Sequence, residues 1–222
     1  MEVYLVELIT QDFLFFTTRE LKTGIVEKYI NNTTLLYAVN FLSPVQRVVS
    51  GTIPHYEEDW CKFTIYTTPA KPQGPINIIK ISYNSVSEEL AFQMEEEKRA
   101  LPKYGAYQMI PPNTRFFFYA IGGKGPGIVR VGKKSCICRL KYRRLEVKGI
   151  KKGVFKCDHP INPKHMPKDF VVKEGLGIPV PPVMIFDNVT AEGEYIVAED
   201  DKRKHNIAIP DKSMFKQVHF DE

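Results

Sequence analysis

Eleven basic side chains stand between Arg130 and Lys156, namely Arg130, Lys133, Lys134, Arg139, Lys141, Arg143, Arg144, Lys148, Lys151, Lys152 and Lys156, against one acid, Glu146. The chain has 31 Lys+Arg and 26 Asp+Glu, so outside this window 20 bases face 25 acids, a net −5. The formal +5 of the 222 residues is therefore made here. Clustered cations displace condensed counterions from phosphates, so the chemistry on offer is the binding of a polyanion.

Other chemistries find weaker support. Cleavage of RNA through its 2′-hydroxyl needs a general base, a general acid and phosphate stabilisation. His55 beside Tyr56, or His159 near Lys156, would have to supply them, yet the five histidines (His55, His159, His165, His205, His219) are scattered. They are expected to be ordinary surface or turn residues. Cys136-Ile-Cys138 with Cys157-Asp-His159 suggests zinc ligands, but both cysteines of the CxC fall on the apolar side of a strand, and no metal or other cofactor is expected. Gly122–Gly127 lacks the spacing and terminal Lys-Ser/Thr of a phosphate loop and is expected to be a hairpin loop. No paired carboxylates with a metal-like signature and no Gly-x-Ser-x-Gly pattern are present.

Periodicity indicates how the cations are carried. In Cys136–Arg143 the even positions Cys136, Cys138, Leu140 and Tyr142 are apolar or aromatic, and Arg139, Lys141 and Arg143 alternate with them. One strand face would pack on a core while the other presents a cationic row. At Arg143-Arg144 the pattern slips by one, which predicts a bulge or the strand's end.

Around this ribbon the chain reads as follows. Val3–Ile9 is an opening strand, and Phe13–Phe16 leads into the polar turn Thr17-Thr-Arg-Glu20, where Arg19 is a candidate phosphate contact. Asn31-Asn-Thr-Thr caps a short helix through Phe41 with Leu35, Leu36, Val39 and Leu42 on one side, and Ser43-Pro44 stops it. Lys62–Tyr66 and Ile76–Ile81 flank a Pro/Gly-rich turn and predict a hairpin. Ser85–Glu88 fits a capping box opening a second helix that Pro102 ends. Arg115–Ile121, the most apolar run, reads as a central strand. After Lys156 prolines are dense, with short strands at Val183–Phe186, Glu194–Ala198 and Asn206–Ile209 and an exposed turn at Asp200–His205.

The order β, α, β-hairpin, α, β predicts an α+β, ferredoxin-like (RNA-recognition-motif-type) core over 1–150, with a β-rich, Pro-rich extension over 151–222 packed on it as one structural unit. The ribonucleoprotein consensus of the ordinary RNA-recognition motif is absent. Hydrophobic residues make up 43% of the chain, enough for a proper core. No apolar run approaches a membrane span and no signal peptide opens the chain, so a cytoplasmic location without membrane contact is expected.

Three segments taken together resemble a known family. Phe15-Phe-Thr-Thr-Arg-Glu20, Tyr29-Ile-Asn-Asn-Thr-Thr-Leu-Leu-Tyr-Ala38, and Arg130-Val-Gly-Lys133 followed by the basic strand look like Csc-one, of the Cas-five group in the RAMP superfamily, from the type I-D CRISPR Cascade complex. The likeness covers roughly 1–150. It implies a non-catalytic subunit that holds the five-prime handle of the crRNA, caps the backbone, and contacts a Cas-seven-type backbone subunit and a Cas-ten-type large subunit. Carried over by position, Thr18 and Arg19 lie at a strand edge near RNA, while Arg130, Gly132, Lys133 and Lys134 form a loop approaching it. Arg139, Lys141, Arg143 and Arg144 extend that surface. Either Gly122–Gly127 or Gly149–Gly153 is the glycine-rich loop of RAMP proteins. The alternatives are a pre-crRNA-processing endoribonuclease and a protein-interaction scaffold without RNA contact. Reversing Lys133, Lys134 and Arg139 to Glu is expected to weaken RNA capture far more than reversing Lys202, Arg203 and Lys204.

Overall fold

Strand periodicity governs most of the molecule. The computed structural model describes residues 1–15, 17–20, 23–40, 56–84, 104–132, 135–180 and 183–220. In chain order the strands are β1 (Val3–Thr10), β2 (Thr17–Glu20), β3 (Thr23–Val26), β4 (Tyr66–Thr67), β5 (Lys71–Pro72), β6 (Ile79–Asn84), β7 (Tyr104–Met109), β8 (Arg115–Ile121), β9 (Ile128–Val131), β10 (Cys136–Lys156), β11 (Val171–Val180), β12 (Val183–Glu199) and β13 (Lys204–Ala208). Among the described residues two helices accompany them, α1 (Asn32–Val39) and α2 (Tyr56–Trp60), with a 3-10 turn at Pro163–His165.

The expected α+β, ferredoxin-like core is not what forms: the fold is mostly β. A nine-stranded antiparallel sheet runs β11-β12-β10-β1-β8-β4, with β13 on β12, β9 on β10 and β5 on β8. A four-stranded sheet runs β2-β3-β7-β6, its β3–β7 pair parallel. The predicted hairpin is the clearest loss. Tyr66 enters β4 at the edge of β8 in the large sheet, whereas Ile79–Asn84 pairs with β7 in the small one. Without that hairpin the ββ unit of the ferredoxin pattern does not exist. The second predicted helix, Ser85 to Leu101, the end of the first beyond Asn40, and Ser43-Pro44 lie outside the described residues.

Other expectations hold. β1 and β8 lie where the apolar runs put them, β1 between β8 and β10. Asn31 caps α1, its side chain accepting from the Thr33 N–H at 3.1 Å, and Leu35, Leu36 and Val39 are buried. Gly122–Gly127 does not close a hairpin, because β8 pairs with β1, and β9 with β10.

The slip at Arg143-Arg144 has a cause other than a bulge or a strand end. The pairing of β1 with β10 runs without a break from Thr10↔Cys138 to Val3↔Leu145. What changes is the face that is covered. Cys136, Cys138 and Leu140 share one hydrophobic cluster with Val6, Leu8, Phe116 and Phe118. Leu145 belongs to another, on the opposite face, with Val3, Leu5, Tyr119, Ile121, Ile196 and Ile207. Apolar side chains on both faces of β8 are therefore needed. Each fully buried Phe there contributes roughly 1.5–3 kcal/mol. The bulge comes later, where the pairing with β12 shifts between Val147 and Gly149, whose φ of 137° suits glycine.

The C-terminal third supplies longer strands than its sequence suggests. Two of its predicted short strands are parts of the 17-residue β12, and Phe215, Val218 and Phe220 close over Trp60, Phe63 and Tyr66. Among the described residues no helix is long and apolar enough to cross a membrane.

Candidate nucleic-acid interface

The alternation in β10 fixes the first feature. Arg139, Lys141 and Arg143 are exposed while Cys136, Cys138 and Leu140, on the other face, are buried. Cross-strand pairing extends the row, since Ile9 of β1 lies opposite Arg139 on one side and Arg115 of β8 on the other. Acids from distant strands return to it. Glu7 meets Arg115 at 3.3 Å and Lys141 at 3.8 Å, and Asp200 meets Arg143 at 3.0 Å. The carboxylates are largely covered, but the cations keep about half of their side-chain surface open, 56%, 57% and 48% for Arg115, Lys141 and Arg143, where phosphate oxygens can reach them. No acid pairs with Arg139 among the described residues. Its apolar neighbours Ile128 and Ile137 are 67% and 40% exposed.

At the far end of the row, β9 turns into β10. Gly132 has φ +81°, and a Cβ there would stand 2.7 Å from the Phe15 carbonyl oxygen. The close approach that glycine permits is thus made to the protein's own backbone, two residues before β2. Arg130 and Gly132 line a cleft of about 400 Å³ with Thr33, Thr34, Tyr37 and Tyr56. The Arg130 guanidinium donates to the Ser135 carbonyl at 3.4 Å.

The sequence-predicted residues are therefore distributed. Arg139, Lys141 and Arg143 form one row, and Arg130 and Gly132 the cleft at its end. Arg144 points to the opposite face, where it pairs with Glu2 at 3.5 Å. Thr18 and Arg19 lie on β2 of the small sheet. Lys133 and Lys134 lie outside the described residues. Of the window's other cations, Lys148 pairs with Glu146 and Glu199, and Lys152 with Asp169.

Sequence reasoning missed four residues here. Arg115, Lys71, Lys202 and Arg203 all border the row's face. Only Arg115 carried a local signal, because it leads the alternation Arg115-Phe117-Tyr119. A hollow of about 230 Å³ at the Arg143 end is lined by Lys71, Phe117, Tyr119, Arg143, Asp158, Asp200, Lys202 and Arg203 among others. Asp200 organises its rim, accepting from the Lys202 and Arg203 backbone N–H groups, each at 3.0 Å. Burial pushes the Asp200 carboxyl up, but those donors and Arg143 outweigh it and hold it at about 2. The Asp200–His205 turn is thus not wholly exposed: the Asp200 side chain is 6% exposed and that of His205 is fully buried.

The histidines also depart from expectation. His159, His165 and His205 are buried, not surface or turn residues; His219 is exposed, and His55 lies outside the described residues. His159 Nδ1 donates to the Pro160 carbonyl at 2.7 Å and Nε2 accepts from the Ala208 N–H at 3.1 Å, which defines a neutral ring. Burial lowers it to about 4. His165 Nδ1 accepts from the Asn32 amide at 2.8 Å between Trp60, Tyr66 and Phe215, and burial lowers it to about 3. His205 Nδ1 meets the Tyr119 hydroxyl at 2.8 Å, and burial lowers it too.

Both CxC cysteines are buried with their sulfurs 3.9 Å apart, an interaction that lowers Cys136 to about 7 and raises Cys138. Among the described residues no group of three or more His, Cys, Asp or Glu is placed to hold a metal ion.

Comparison with known proteins completes the picture. A CRISPR protein from Archaeoglobus fulgidus is 12% identical, with 94% of this chain and 100% of that one covered and a TM-score of 0.43. A chain of the type III-B Cmr-beta complex bound to cognate target RNA and AMPPnP is 11% identical, with 87% and 86% covered and a TM-score of 0.47. No curated protein matches. The family model for type I-D CRISPR-associated protein Cas5/Csc1 matches residues 1–217, through the C-terminal third that the sequence resemblance left unmatched. With almost its whole length matched, the chain belongs to the type I-D CRISPR-associated Cas5/Csc1 family.

Proposed function

We propose that this protein is a non-catalytic, crRNA-binding subunit of a type I-D CRISPR interference complex, and that it holds the five-prime handle of the crRNA while capping the backbone. One observation carries the proposal: Arg139, Lys141 and Arg143 stand in a row on the open face of a strand whose other face is core. At about 3.4 Å per residue the row from Ile137 to Arg143 spans roughly 20 Å, room for a few nucleotides of an extended backbone. Interspersed Ile137 and Ile128 offer apolar contact to bases, and the Arg130–Gly132 cleft continues the path toward β2.

Membership of the family supports partners among the other subunits of a CRISPR effector complex. A Cas-seven-type backbone subunit and a Cas-ten-type large subunit would cover apolar surface of the outer sheet, where Val154, Val171, Leu176 and Met184 are 50–60% exposed. A non-catalytic role agrees with the histidines, since a base acting on a 2′-hydroxyl must reach the substrate. His165 and His205 are neutral and enclosed, and His159, which lines the hollow at the Arg143 end, is neutral with both ring nitrogens already engaged by Pro160 and Ala208.

The test is a salt titration of binding to a labelled single-stranded repeat RNA. Arg139→Glu with Lys141→Glu should lower affinity about 10–100-fold at low salt and flatten the plot of log affinity against log salt by about one unit for each phosphate no longer neutralised. Unchanged affinity and slope would remove the row from the interface. Incubation with repeat RNA checks catalysis, and a cleavage product abolished by His55→Ala would replace the non-catalytic role with the ribonuclease one.

A further inference from the structure

The hollow at the Arg143 end of the row is built differently from the row itself. Phe117, half-buried against the core cluster beneath, lines it on the same face as Glu7 and Lys71, its cross-strand partners. Around that ring stand four cations from three parts of the chain: Lys71 of β5, Arg143 of β10, and Lys202 and Arg203 of the turn before β13. Two carboxylates share the lining, Asp158 and Asp200, and a third, Asp187, reaches Lys71 at 3.8 Å from outside it, which leaves a formal +1. Asp158 and Asp200 are already engaged in shaping the rim. Asp158 accepts from the Asn206 N–H at 2.7 Å and pairs with Arg203 at 3.5 Å. Asp200 takes its two backbone donors and Arg143. Behind the rim, His205 packs fully buried, with Tyr119 at one ring nitrogen and Asp200 3.4 Å from the other. No acid pairs with Lys202 among the described residues.

A flat aromatic surface ringed by cations is suited to one nucleoside phosphate: the base lies on the ring and the phosphate meets the ammonium and guanidinium groups. A volume of about 230 Å³ admits a single unit and excludes a duplex. Because Arg143 belongs to both the hollow and the row, a strand lying along the row would deliver one of its nucleotides here.

We infer that the hollow is a single-nucleotide subsite for single-stranded RNA, with Phe117 as the stacking platform and Lys71, Lys202 and Arg203 as the phosphate grip. The inference rests on the RNA-binding function proposed above and extends it to residues outside the basic ribbon. It also makes the Lys202/Arg203 pair part of the interface rather than a remote control.

The experiment uses the full chain and a set of eight-nucleotide single-stranded RNAs, each with one 4-thiouridine, photocrosslinked and mapped by peptide mass spectrometry. One position should crosslink to the peptide that carries Phe117. Phe117→Leu, which keeps the apolar packing, and Lys202→Glu with Arg203→Glu should each lower RNA affinity about tenfold. Lys168→Glu with Lys216→Glu, the same change in net charge at exposed sites, should change it less than about twofold. RNA that binds and crosslinks along the row but never at Phe117, with Lys202→Glu/Arg203→Glu behaving like the control pair, would overturn the subsite and leave the row intact. Micromolar adenosine 5′-monophosphate binding that Phe117→Leu abolishes, with no effect on RNA, would assign the hollow to a free nucleotide and overturn the RNA subsite. Failure of every RNA to bind would overturn both proposals.

Discussion

Two sets of basic side chains lie within a few strands of each other and are put to opposite uses. Arg139, Lys141 and Arg143 line the open face of β10, each charged and open to solvent, with carboxylate partners for Lys141 and Arg143 reached from other strands. His159, His165 and His205 are sealed beneath β12, β13 and the C-terminal segment, uncharged, with ring nitrogens committed to Pro160, Ala208, Asn32 and Tyr119. Half-exposed cations can add phosphate on their open side; buried neutral hydrogen bonds cannot be exchanged without opening the core. In the function proposed above the row is the interface, while the histidine seam ties the first and last thirds of the chain together. Asn32 of α1 joins them through Asn162 at 2.9 Å and His165 at 2.8 Å.

Acid should separate the two most strongly. Burial holds His159 near 4 and His165 near 3, below the ordinary value of 6.5, so between pH 6.5 and 4 the unfolded chain binds protons that the folded one refuses. Stability then falls as pH falls, by about 1.4 kcal/mol per pH unit for each ring. From pH 6.5 to 4.5 the pair removes roughly 5 kcal/mol, comparable with the whole stability of many domains. Urea unfolding across that range checks it. A flat profile would mean that the rings titrate normally and the seam is not closed. The Arg and Lys row stays charged throughout, so the RNA affinity of the molecules that remain folded should hold steady.

Next in size is the loss of one member of the clamp. His165→Ala removes the ring from between Trp60, Tyr66 and Phe215 and takes from the Asn32 amide its 2.8 Å acceptor, leaving it only the Tyr66 hydroxyl at 3.4 Å. The cavity and the lost hydrogen bond together should cost about 3 kcal/mol at neutral pH, measured by chemical denaturation. RNA affinity, corrected for the folded fraction, should not move. A cost under about 1 kcal/mol would show that the seam follows the fold rather than holding it.

What could be read from the sequence divides along the same line. β1, β8, the first half of β10 and the Asn31 cap are legible because each is written in a few consecutive residues: an apolar run, a period of two, an Asn accepting from its own helix. The exposed row is legible for that reason. Its counter-charges are not, because Glu7 and Asp200 reach Lys141 and Arg143 only through pairings between strands far apart in the chain. The same holds for the fold class. Lys62–Tyr66 and Ile76–Ile81 have the local texture of a hairpin, and nothing local says that Tyr66 will join β8 while Ile79–Asn84 joins β7. Burial of the histidines depends on the C-terminal segment closing over Trp60, again a long-range event. The slip at Arg143-Arg144 is visible in the sequence but its cause is not, since a change of covered face and a bulge leave the same trace in one strand.

The smallest effect tests that last point most directly. Arg143 and Arg144 are neighbours in sequence, carry the same charge and are both exposed, at 48% and 68% of their side chains. Only the pleat distinguishes them: Arg143 shares a face with Lys141 and opens on the hollow, while Arg144 faces away and pairs with Glu2. Arg143→Gln and Arg144→Gln therefore remove the same charge from nearly the same place along the chain. If attraction of RNA depended on net charge alone, the two variants would weaken binding equally. If the strand face decides, Arg143→Gln should cost about tenfold in affinity at low salt and Arg144→Gln less than about twofold, because a surface pair with Glu2 contributes little either way. Fluorescence anisotropy at a fixed, low salt concentration reads both. Equal losses would mean that RNA samples a diffuse field around β10 instead of lying on one side of it.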